Sequence, residues 1–211
     1  MTRPWLAHYP QGVPADISTD GYTSLTDLLD RACKQYASRT ALTAMGSDIT
    51  YAQLDAHARA FAGWLQSLGL PKGSRVALMM PNVPAYLVAM LGTLRAGHAV
   101  VNVNPLYTAD ELQRQLQDSG ASVIVILENF AHTLQSVSDR GALKHIVVTG
   151  PGDLLGGLKA PLVNLAARYI KKLVPAWRID GALMLPQVLA QGARLPLSLI
   201  HISEPTRLLS I

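Results

Sequence analysis

The sequence predicts an α/β fold, in which helices flank a mostly parallel sheet that is incomplete within this chain. Three apolar runs have the length and β-branched content of buried strands, at residues 75–80, 99–103 and 121–127. Helical spacing fills the two intervals between them, at residues 82–97 and 108–119. Strands that alternate with helices in this way predict right-handed crossovers and a parallel sheet.

Local signals mark where these two helices begin and end. Asn82 is expected to cap the first helix, with Pro84 in its first turn. Thr108 and Glu111 have the spacing of a capping box at the start of the second helix. A glycine stands at the end of each helix, which favours a left-handed residue there.

The residues before this unit predict two further helices and a hairpin. Apolar side chains recur at helical spacing over residues 24–36 and again over residues 51–68. Between these helices, residues 40–45 and 49–50 predict two short antiparallel strands, and their turn is expected at residues 46–48.

The residues after the central unit predict a further buried strand and three helices. The strand is at residues 145–149, between a short helix at 129–137 and a long one at 158–177. In the long helix, apolar side chains fill about half of the helical wheel and polar side chains fill most of the rest, so it is amphipathic. A last short helix is predicted at residues 183–190.

Composition and charge exclude several classes of protein. The chain of 211 residues is 49% hydrophobic and 15% charged, enough for a sizeable core. Its net charge of +4 is mild, and basic residues do not interleave with aromatic ones, so no nucleic-acid partner is expected. The single cysteine, Cys33, excludes an internal disulfide and is expected to be a buried thiol. Because neither a signal peptide nor a transmembrane run is visible, we expect a cytoplasmic protein.

The central unit also resembles a known family. Its segments VALMMPNVPAYLVAMLGTLRAG and VNVNPLYTADELQRQLQDSGA are similar to the N-terminal part of adenylate-forming enzymes, the acyl-CoA synthetase superfamily. The NPLYT segment at residues 104–108, followed by Glu111, is typical of bacterial long-chain fatty-acid–CoA ligases. The resemblance covers residues 3–192 and implies the N-terminal subdomain of the adenylate-forming fold. It divides the chain into an irregular arm at residues 1–22 and a partial AMP-binding domain at residues 23–195.

The resemblance implies a two-step reaction for the full-length enzyme. A fatty-acid carboxylate attacks the α-phosphate of ATP to give an acyl-adenylate and pyrophosphate, and the thiol of coenzyme A then forms the thioester. The implied cofactors are ATP, Mg²⁺ and coenzyme A. The family's phosphate loop, of the type Ser/Thr-Gly-Gly-Thr-Thr-Gly-x-x-Lys-Gly, does not occur in this sequence. We therefore expect no catalytic, cofactor-binding or metal-binding residue here, and an inactive chain when it is alone.

Other segments do not replace the missing loop. Residues 150–156 read GPGDLLG after a strand, but their third glycine comes one place too late for a dinucleotide fingerprint. The histidines lack metal-site spacing, and His98 and His145, which begin strands, are expected to be structural. The turn at residues 104–108 either ends a strand and sets up a helix cap, or lies near the acyl or adenylate site with Tyr107 lining a hydrophobic surface. We favour the structural interpretation.

The long amphipathic helix is the one segment whose residues suggest an activity of its own. Its apolar face includes Tyr169 and Trp177, and Arg168, Lys171 and Lys172 lie beside that face. This combination suits the interface of an anionic membrane, at the inner face of which the enzyme would be peripheral. An ordinary surface helix, packed on its domain with its charges in water, is the alternative and the one we favour.

The C-terminal tail stands apart from the rest of the chain. Residues 196–211 have no counterpart in the family and are similar to the peptide that translation of sequencing-adapter DNA produces, so we expect them to be artefactual. Two alternatives to a long-chain ligase stay open. One is an acyl-CoA synthetase for a medium-chain or aryl acid, and the other is a truncated, non-enzymatic module that binds membrane or a partner. A homodimer stays open for either.

Overall fold

The computed structural model describes residues 3–18 and 21–198. Its strands are β1 (Thr40–Ala44), β2 (Ser47–Thr50), β3 (Arg75–Met79), β4 (Ala99–Asn102), β5 (Val123–Leu127), β6 (His145–Thr149) and β7 (Leu183–Met184). Its α-helices are α1 (Leu25–Gln35), α2 (Tyr51–Ser67), α3 (Pro84–Arg95), α4 (Ala109–Ser119), α5 (Ala131–Gln135), α6 (Lys159–Leu165) and α7 (Leu185–Gly192). Two 3₁₀ turns, Pro4–His8 and Glu128–Phe130, and a π-helical turn, Ala166–Ile170, complete the elements.

A five-stranded sheet, entirely parallel, forms the centre of the fold. Its order is β4-β3-β5-β6-β7, and β1 and β2 form a separate antiparallel hairpin. The chain passes from β3 to β4 on one side and then returns to place β5 on the other side of β3. The predicted α/β class with a mostly parallel sheet is therefore confirmed.

Side chains of the central strand alternate between two cores. Val76 and Leu78 of β3 are buried with residues of α2, α3 and α7. Ala77 and Met79 are buried on the opposite face, with residues of α4 and α5. Because successive side chains of a strand point to opposite faces, one apolar run supplies both cores, and helices cover the sheet on both sides.

Two of the predicted boundaries before and within the central unit are wrong. The hairpin turn consists of Met45 and Gly46, with φ of 48° and 70°, so Ser47 already belongs to β2. Two consecutive positive φ angles match the twist of the strands that they join. The cap of α3 is Val83, which makes no side-chain cap hydrogen bond, rather than Asn82. The capping box at the start of α4 is confirmed.

The long amphipathic helix is shorter than predicted. It ends with the π-helical turn at Ile170, and the predicted last seven residues, 171–177, lie outside it. Lys172 has φ of 48°, and the N–H of Leu173 donates to the carbonyl of Ala167 at 2.9 Å. A left-handed residue with this hydrogen bond reverses the chain at a helix end, which the apolar periodicity does not reveal.

The last predicted helix begins later than expected. Its first two residues pair with β6 as β7, and α7 starts at Leu185, with Pro186 in its first turn. Across residues 3–18 and 21–198, the structure contains no helix with the length and apolar character that crossing a membrane requires. The predicted artefactual tail falls mainly on residues 199–211, outside the described part of the chain.

Candidate functional site

The candidate site lies at the carboxyl edge of the parallel sheet. In open α/β sheets, ligands bind at this edge where the strand order reverses, which here is between β3 and β5. Polar residues follow the strands at this edge: Asn82 after β3, Asn104 after β4 and Glu128 after β5. These residues decide what the edge can do chemically.

The Asn104 turn uses its polar groups within the backbone. The Asn104 side chain accepts the N–H of Leu106 at 3.0 Å. Four residues after Asn104, the Thr108 hydroxyl accepts the N–H of Glu111 at 3.4 Å, and the Glu111 carboxylate accepts the N–H of Thr108 at 2.8 Å. The N–H and the hydroxyl of Thr108, which both donate to the Glu111 carboxylate, lower the pKa of Glu111. The contacts agree with the structural interpretation of residues 104–108.

Glu128 is a buried carboxylate at the end of β5. Its residue is 2% exposed, and Arg168 donates to both of its oxygens, with Nε at 3.1 Å from Oε2 and Nη2 on Oε1. The indole Nε1 of Trp177 donates to Oε1 at 3.2 Å. A buried charge is tolerated when it is paired and hydrogen-bonded in this way. The carboxylate in turn raises the pKa of the Arg168 guanidinium.

Further hydrogen bonds hold residues 166–178 against the segment that follows β5. The Asn129 amide donates to the carbonyl of Leu173 at 2.9 Å. The backbone N–H of Arg178 donates to Oε1 of Gln135 at 2.7 Å. The π-helical turn and the loop after it are therefore fixed at the carboxyl edge of the sheet.

The loop after β6 is built around Asp153. This carboxylate accepts the N–H of Gly150 at 2.8 Å and the amide of Asn164 at 2.8 Å. Asn164 in turn accepts the N–H of Gly152 at 2.7 Å. Burial has the largest effect on the pKa of Asp153 and raises it, while these hydrogen bonds act in the opposite direction. Because the N–H groups of Gly150 and Gly152 are bonded to Asp153 and Asn164, residues 150–156 act as a loop and do not form a phosphate cradle.

A cleft of about 430 Å³ opens beside the Glu128–Arg168 pair. Its walls are Glu128, Arg168, Tyr169, Trp177 and residues 174–176. Trp177 is half-buried and packs against the core formed with α4 and α5. The structure therefore brings Arg168, Tyr169 and Trp177 of the predicted membrane-surface set together. The exposed Lys171 and Lys172 lie between Tyr169 and Trp177 in the chain.

An apolar strip runs along α6 and the π-helical turn, next to this cleft. Each of its side chains is more than half exposed: Leu158 81%, Leu162 62%, Leu165 53%, Tyr169 69%, Ile170 76% and Leu173 54%. No acidic residue lies between Asp153 and Asp180, while Lys159, Lys171 and Lys172 do. The surface is thus apolar and basic.

The buried His98 and the half-buried His145 lie at the opposite end of the sheet. His98 precedes β4 and His145 begins β6, and burial lowers the pKa of each. Within the described residues, Nδ1 of His98 has no hydrogen-bond partner, and no group of three His, Cys, Asp or Glu side chains could hold a metal ion. Cys33 is a buried thiol, and burial raises its pKa.

A family model described as "AMP-binding enzyme" matches residues 29–169. This chain belongs to the AMP-binding enzyme family. The match covers more than half of the chain and includes β3 to β6, so the resemblance found in the sequence is confirmed.

Curated relatives place this AMP-binding chain near one group of enzymes. It is 49% identical over 196 residues to a long-chain-fatty-acid–CoA ligase of Escherichia coli O157:H7, covering 92% of this chain and 35% of the relative. A ligase of the same name from Haemophilus influenzae is 44% identical over 193 residues, covering 91% and 34%. The chain thus spans about a third of the length of the curated relatives that it matches.

Solved structures show the same fold as this AMP-binding chain. An anthranilate CoA ligase in complex with anthranoyl-AMP has a TM-score of 0.63 and 21% identity, and the match covers 82% of this chain and 28% of that one. A long-chain-fatty-acid-CoA ligase from Archaeoglobus fulgidus has a TM-score of 0.58 and 21% identity, covering 74% and 32%. At these identities the likeness concerns the fold alone.

Proposed function

We propose that this chain is the N-terminal third of a long-chain fatty-acid–CoA ligase, which activates a fatty acid with ATP and transfers it to coenzyme A. The observation that supports this most is the 49% identity over 196 residues to the Escherichia coli ligase. The parallel sheet and its two helical layers would supply a scaffold for the complete enzyme. A cytoplasmic location of the protein is part of the same proposal.

The described residues do not fit ATP or Mg²⁺. The glycine N–H groups of residues 150–152 bind Asp153 and Asn164, and no group of three acidic, His or Cys residues could hold a metal ion in that part of the chain. Phosphates need a loop of free N–H groups with a cation. We therefore assign ATP, Mg²⁺ and coenzyme A to the rest of the full-length enzyme and derive no catalytic step from this chain.

The first test is the coding DNA from codon 185 onward. We expect the frame to continue past codon 196 into a Thr-Gly-Gly-Thr-Thr-Gly-like phosphate loop. The extended protein should then form acyl-CoA from palmitate, ATP and coenzyme A, and palmitate should be preferred over octanoate and benzoate. Preference for octanoate or benzoate would favour the alternative of an acyl-CoA synthetase for a medium-chain or aryl acid. A frame that stops after codon 211, with a detectable short protein, would favour the non-enzymatic module.

A chimera tests the scaffold independently of that DNA. Residues 1–195 would replace the matching third of the Escherichia coli ligase, with residues 1–195 alone as the control. We expect the chimera to convert palmitate to palmitoyl-CoA and the control to be inactive, because the phosphate loop lies in the other two thirds. A folded chimera without activity would count against the proposal.

We further propose that residues 158–173 contact an anionic membrane. The specific observation is the exposed apolar strip, flanked by Lys159, Lys171 and Lys172 and without an acidic side chain. Basic residues near an anionic surface contribute about 1 kcal/mol each. Arg168 and Trp177 support this surface indirectly. Arg168 pairs with Glu128, and Trp177 donates to the same carboxylate and so holds the loop that follows the π-helical turn.

Charge reversal at Lys171 and Lys172 tests the membrane proposal. We expect Lys171→Glu/Lys172→Glu to abolish sedimentation with phosphatidylglycerol vesicles. Lys34→Glu/Lys144→Glu, at two exposed lysines elsewhere, makes the same charge change and should bind as the unaltered chain does. Equal binding of all three proteins would refute a membrane contact here. A concentration-dependent dimer that the first variant abolishes would instead assign the strip to a second copy.

A further inference from the structure

We infer that the tip of the β1–β2 hairpin inserts Met45 into the same anionic membrane that the apolar strip contacts, so that the carboxyl edge of the sheet faces the lipid. The tip consists of Met45 and Gly46, and the hairpin is not part of the five-stranded sheet. The inference rests on the proposed membrane contact of residues 158–173, and it adds a second contact point and an orientation.

Met45 is an unusual residue for this turn. Its φ of 48° lies in the left-handed region, which asparagine and aspartate tolerate better than other residues with a side chain. Two-residue turns with two positive φ angles therefore favour Asn-Gly or Asp-Gly. Met45 is also 58% exposed, so the turn holds an apolar side chain in water where asparagine would suit both backbone and solvent. Such a conflict between sequence and local structure is expected where a residue has a function.

The hairpin tip lies beside the first turn of α6. A Cβ placed on Gly46 would be 3.5 Å from Nζ of Lys159, the first residue of that helix. Leu158, with which the apolar strip begins, is the residue before Lys159. The exposed apolar surface therefore continues from α6 to a second element of the fold.

The hairpin and the strip cover the same edge of the sheet. Leu42 and Ala44 of β1 line a cleft with Asn82 and Val83, which follow β3 at its carboxyl end. The strip comes after β6, and its π-helical turn is bonded to the residue that follows β5. A single line of side chains would leave the protein free to rotate about that line. Contacts from two elements determine which edge of the sheet faces the lipid.

The charges near the tip fit an anionic surface. Lys159 lies beside the tip, and Lys171 and Lys172 lie at the other end of the strip. Asp48 is the single charged residue of the hairpin, and its carboxylate accepts the hydroxyl of Thr43 at 2.6 Å, one residue pair below the turn. Three cations against one anion attract the surface to anionic head groups.

Two substitutions at Met45 separate the effect of the apolar side chain from that of the backbone conformation. Met45→Asn should raise the urea midpoint of unfolding, because asparagine suits the left-handed position, and should weaken binding to phosphatidylglycerol vesicles about tenfold. Met45→Leu keeps an apolar side chain and should bind the vesicles as the unaltered chain does. Ile17→Asn, at an exposed apolar residue of the arm, is the matched control and should leave vesicle binding unchanged.

A fluorescent label locates the contact on the protein. Met45→Cys and Leu162→Cys would each carry an environment-sensitive dye in the 211-residue chain, in which Cys33 is buried. We expect the emission of both labels to shift to the blue when phosphatidylglycerol vesicles are added. The unaltered chain, treated with the same dye, controls for labelling of Cys33.

Several outcomes would overturn the inference. A blue shift at residue 162 alone would remove the hairpin contact and leave the membrane contact of the strip standing, whereas a shift at neither residue would remove both. Shifts that appear without vesicles as the protein concentration rises would assign this surface to a second copy of the chain. Vesicle binding of Met45→Asn equal to that of the unaltered chain would show that the tip stays outside the lipid. None of these results depends on ligase activity, so the proposed enzymatic function would be unaffected.

Discussion

Arg95 is a buried cation that joins three helices. It is 3% exposed in α3, and its Nη2 lies 2.5 Å from a carboxylate oxygen of Asp30 and 2.5 Å from one of Asp55. These partners come from α1 and α2. The apolar pattern of α3 gives no sign of this role, because both partners are distant in sequence.

Removing Arg95 should destabilise the chain strongly. We expect Arg95→Leu to lower the free energy of unfolding by about 3 kcal/mol, because it leaves two carboxylates without their shared cation in a partly desolvated place. The control is Arg59→Leu, at a more exposed partner of Asp55, which should cost less than about 1 kcal/mol. Urea denaturation at pH 7 measures both. Equal losses of unfolding free energy in the two variants would show that the buried Arg95 ion pairs stabilise the chain no more than an exposed one.

His98 makes stability depend on pH. Burial lowers the pKa of its imidazole from 6.5, so the unfolded chain binds a proton more readily than the folded one. The contribution of neutral His98 to the free energy of unfolding is therefore fully present above pH 6.5. It is lost as the pH drops from there towards the folded-state pKa. His98→Phe should show a smaller loss of unfolding free energy between pH 7 and pH 5.5 than the unaltered chain. His8→Phe, at an exposed position, should show the same loss as the unaltered chain.

At the residue scale, spacing predicted the capping box of α4, whereas the cap of α3, the hairpin turn and the contacts of the site were not predicted. The Thr108–Glu111 box follows from residues three apart, so its spacing is visible in the chain. Glu128 meets Arg168 and Trp177 from 40 and 49 residues away, and only the folded sheet brings them together. The role of Glu128 therefore has no local signal beyond a charged residue at the end of an apolar run.

At the scale of elements, α2 and α7 cross at close range. A Cβ placed on Gly192 of α7 would lie 1.8 Å from the carbonyl oxygen of Ala60 in α2. This contact leaves no space for a side chain, and the obstacle is backbone, which cannot rotate away. The small residues at this crossing therefore set the distance between the two helices.

Enlarging Gly192 should push the two helices apart. We expect Gly192→Ala to lower the unfolding free energy by about 1–3 kcal/mol through overpacking, despite the better helix propensity of alanine. Gly21→Ala is the matched control, since nothing lies within 4 Å of its added Cβ. Thermal and urea unfolding of both variants measure the change in unfolding free energy. A stabilised Gly192→Ala would mean that α7 is free to move away from α2.

Element ends explain where the sequence prediction of helices failed. The apolar periodicity over residues 158–177 continues past Ile170, but the chain reverses at Lys172 and Trp177 turns back to the Glu128 carboxylate. Residues 183–184 fit a helix start by their own pattern, yet they pair with β6. In both places a tertiary contact outweighs local periodicity.

At the scale of the whole molecule, the N-terminal arm contributes little to the core. Its 3₁₀ turn, Pro4–His8, contains no buried residue, and the ion pair of Arg3 with Asp16 is exposed on both sides. We expect deletion of residues 1–22 to change the unfolding free energy by less than about 0.5 kcal/mol. Urea unfolding followed by circular dichroism measures this. A larger loss would extend the domain boundary into the arm.

The fold class could be predicted from the sequence because the alternation of buried strands and helices is local. Residues 75–127 contain β3, β4 and β5 with their two crossover helices, and each was visible as an apolar run or a helical period. The position of β4 and β5 on opposite sides of β3, and the short β7, were not predicted. They depend on which edges meet in space, and a period of two or 3.6 residues does not contain that information.

The strand order has a consequence for how the chain is made. β4 and β5 take the two edges of β3, β6 then takes the free edge of β5, and β7 takes that of β6. Among the strands of residues 21–198, none has to be inserted between two earlier ones. As the chain leaves the ribosome, each strand finds its partner already synthesised, so the sheet can assemble in the order of translation while the remainder is still in the tunnel.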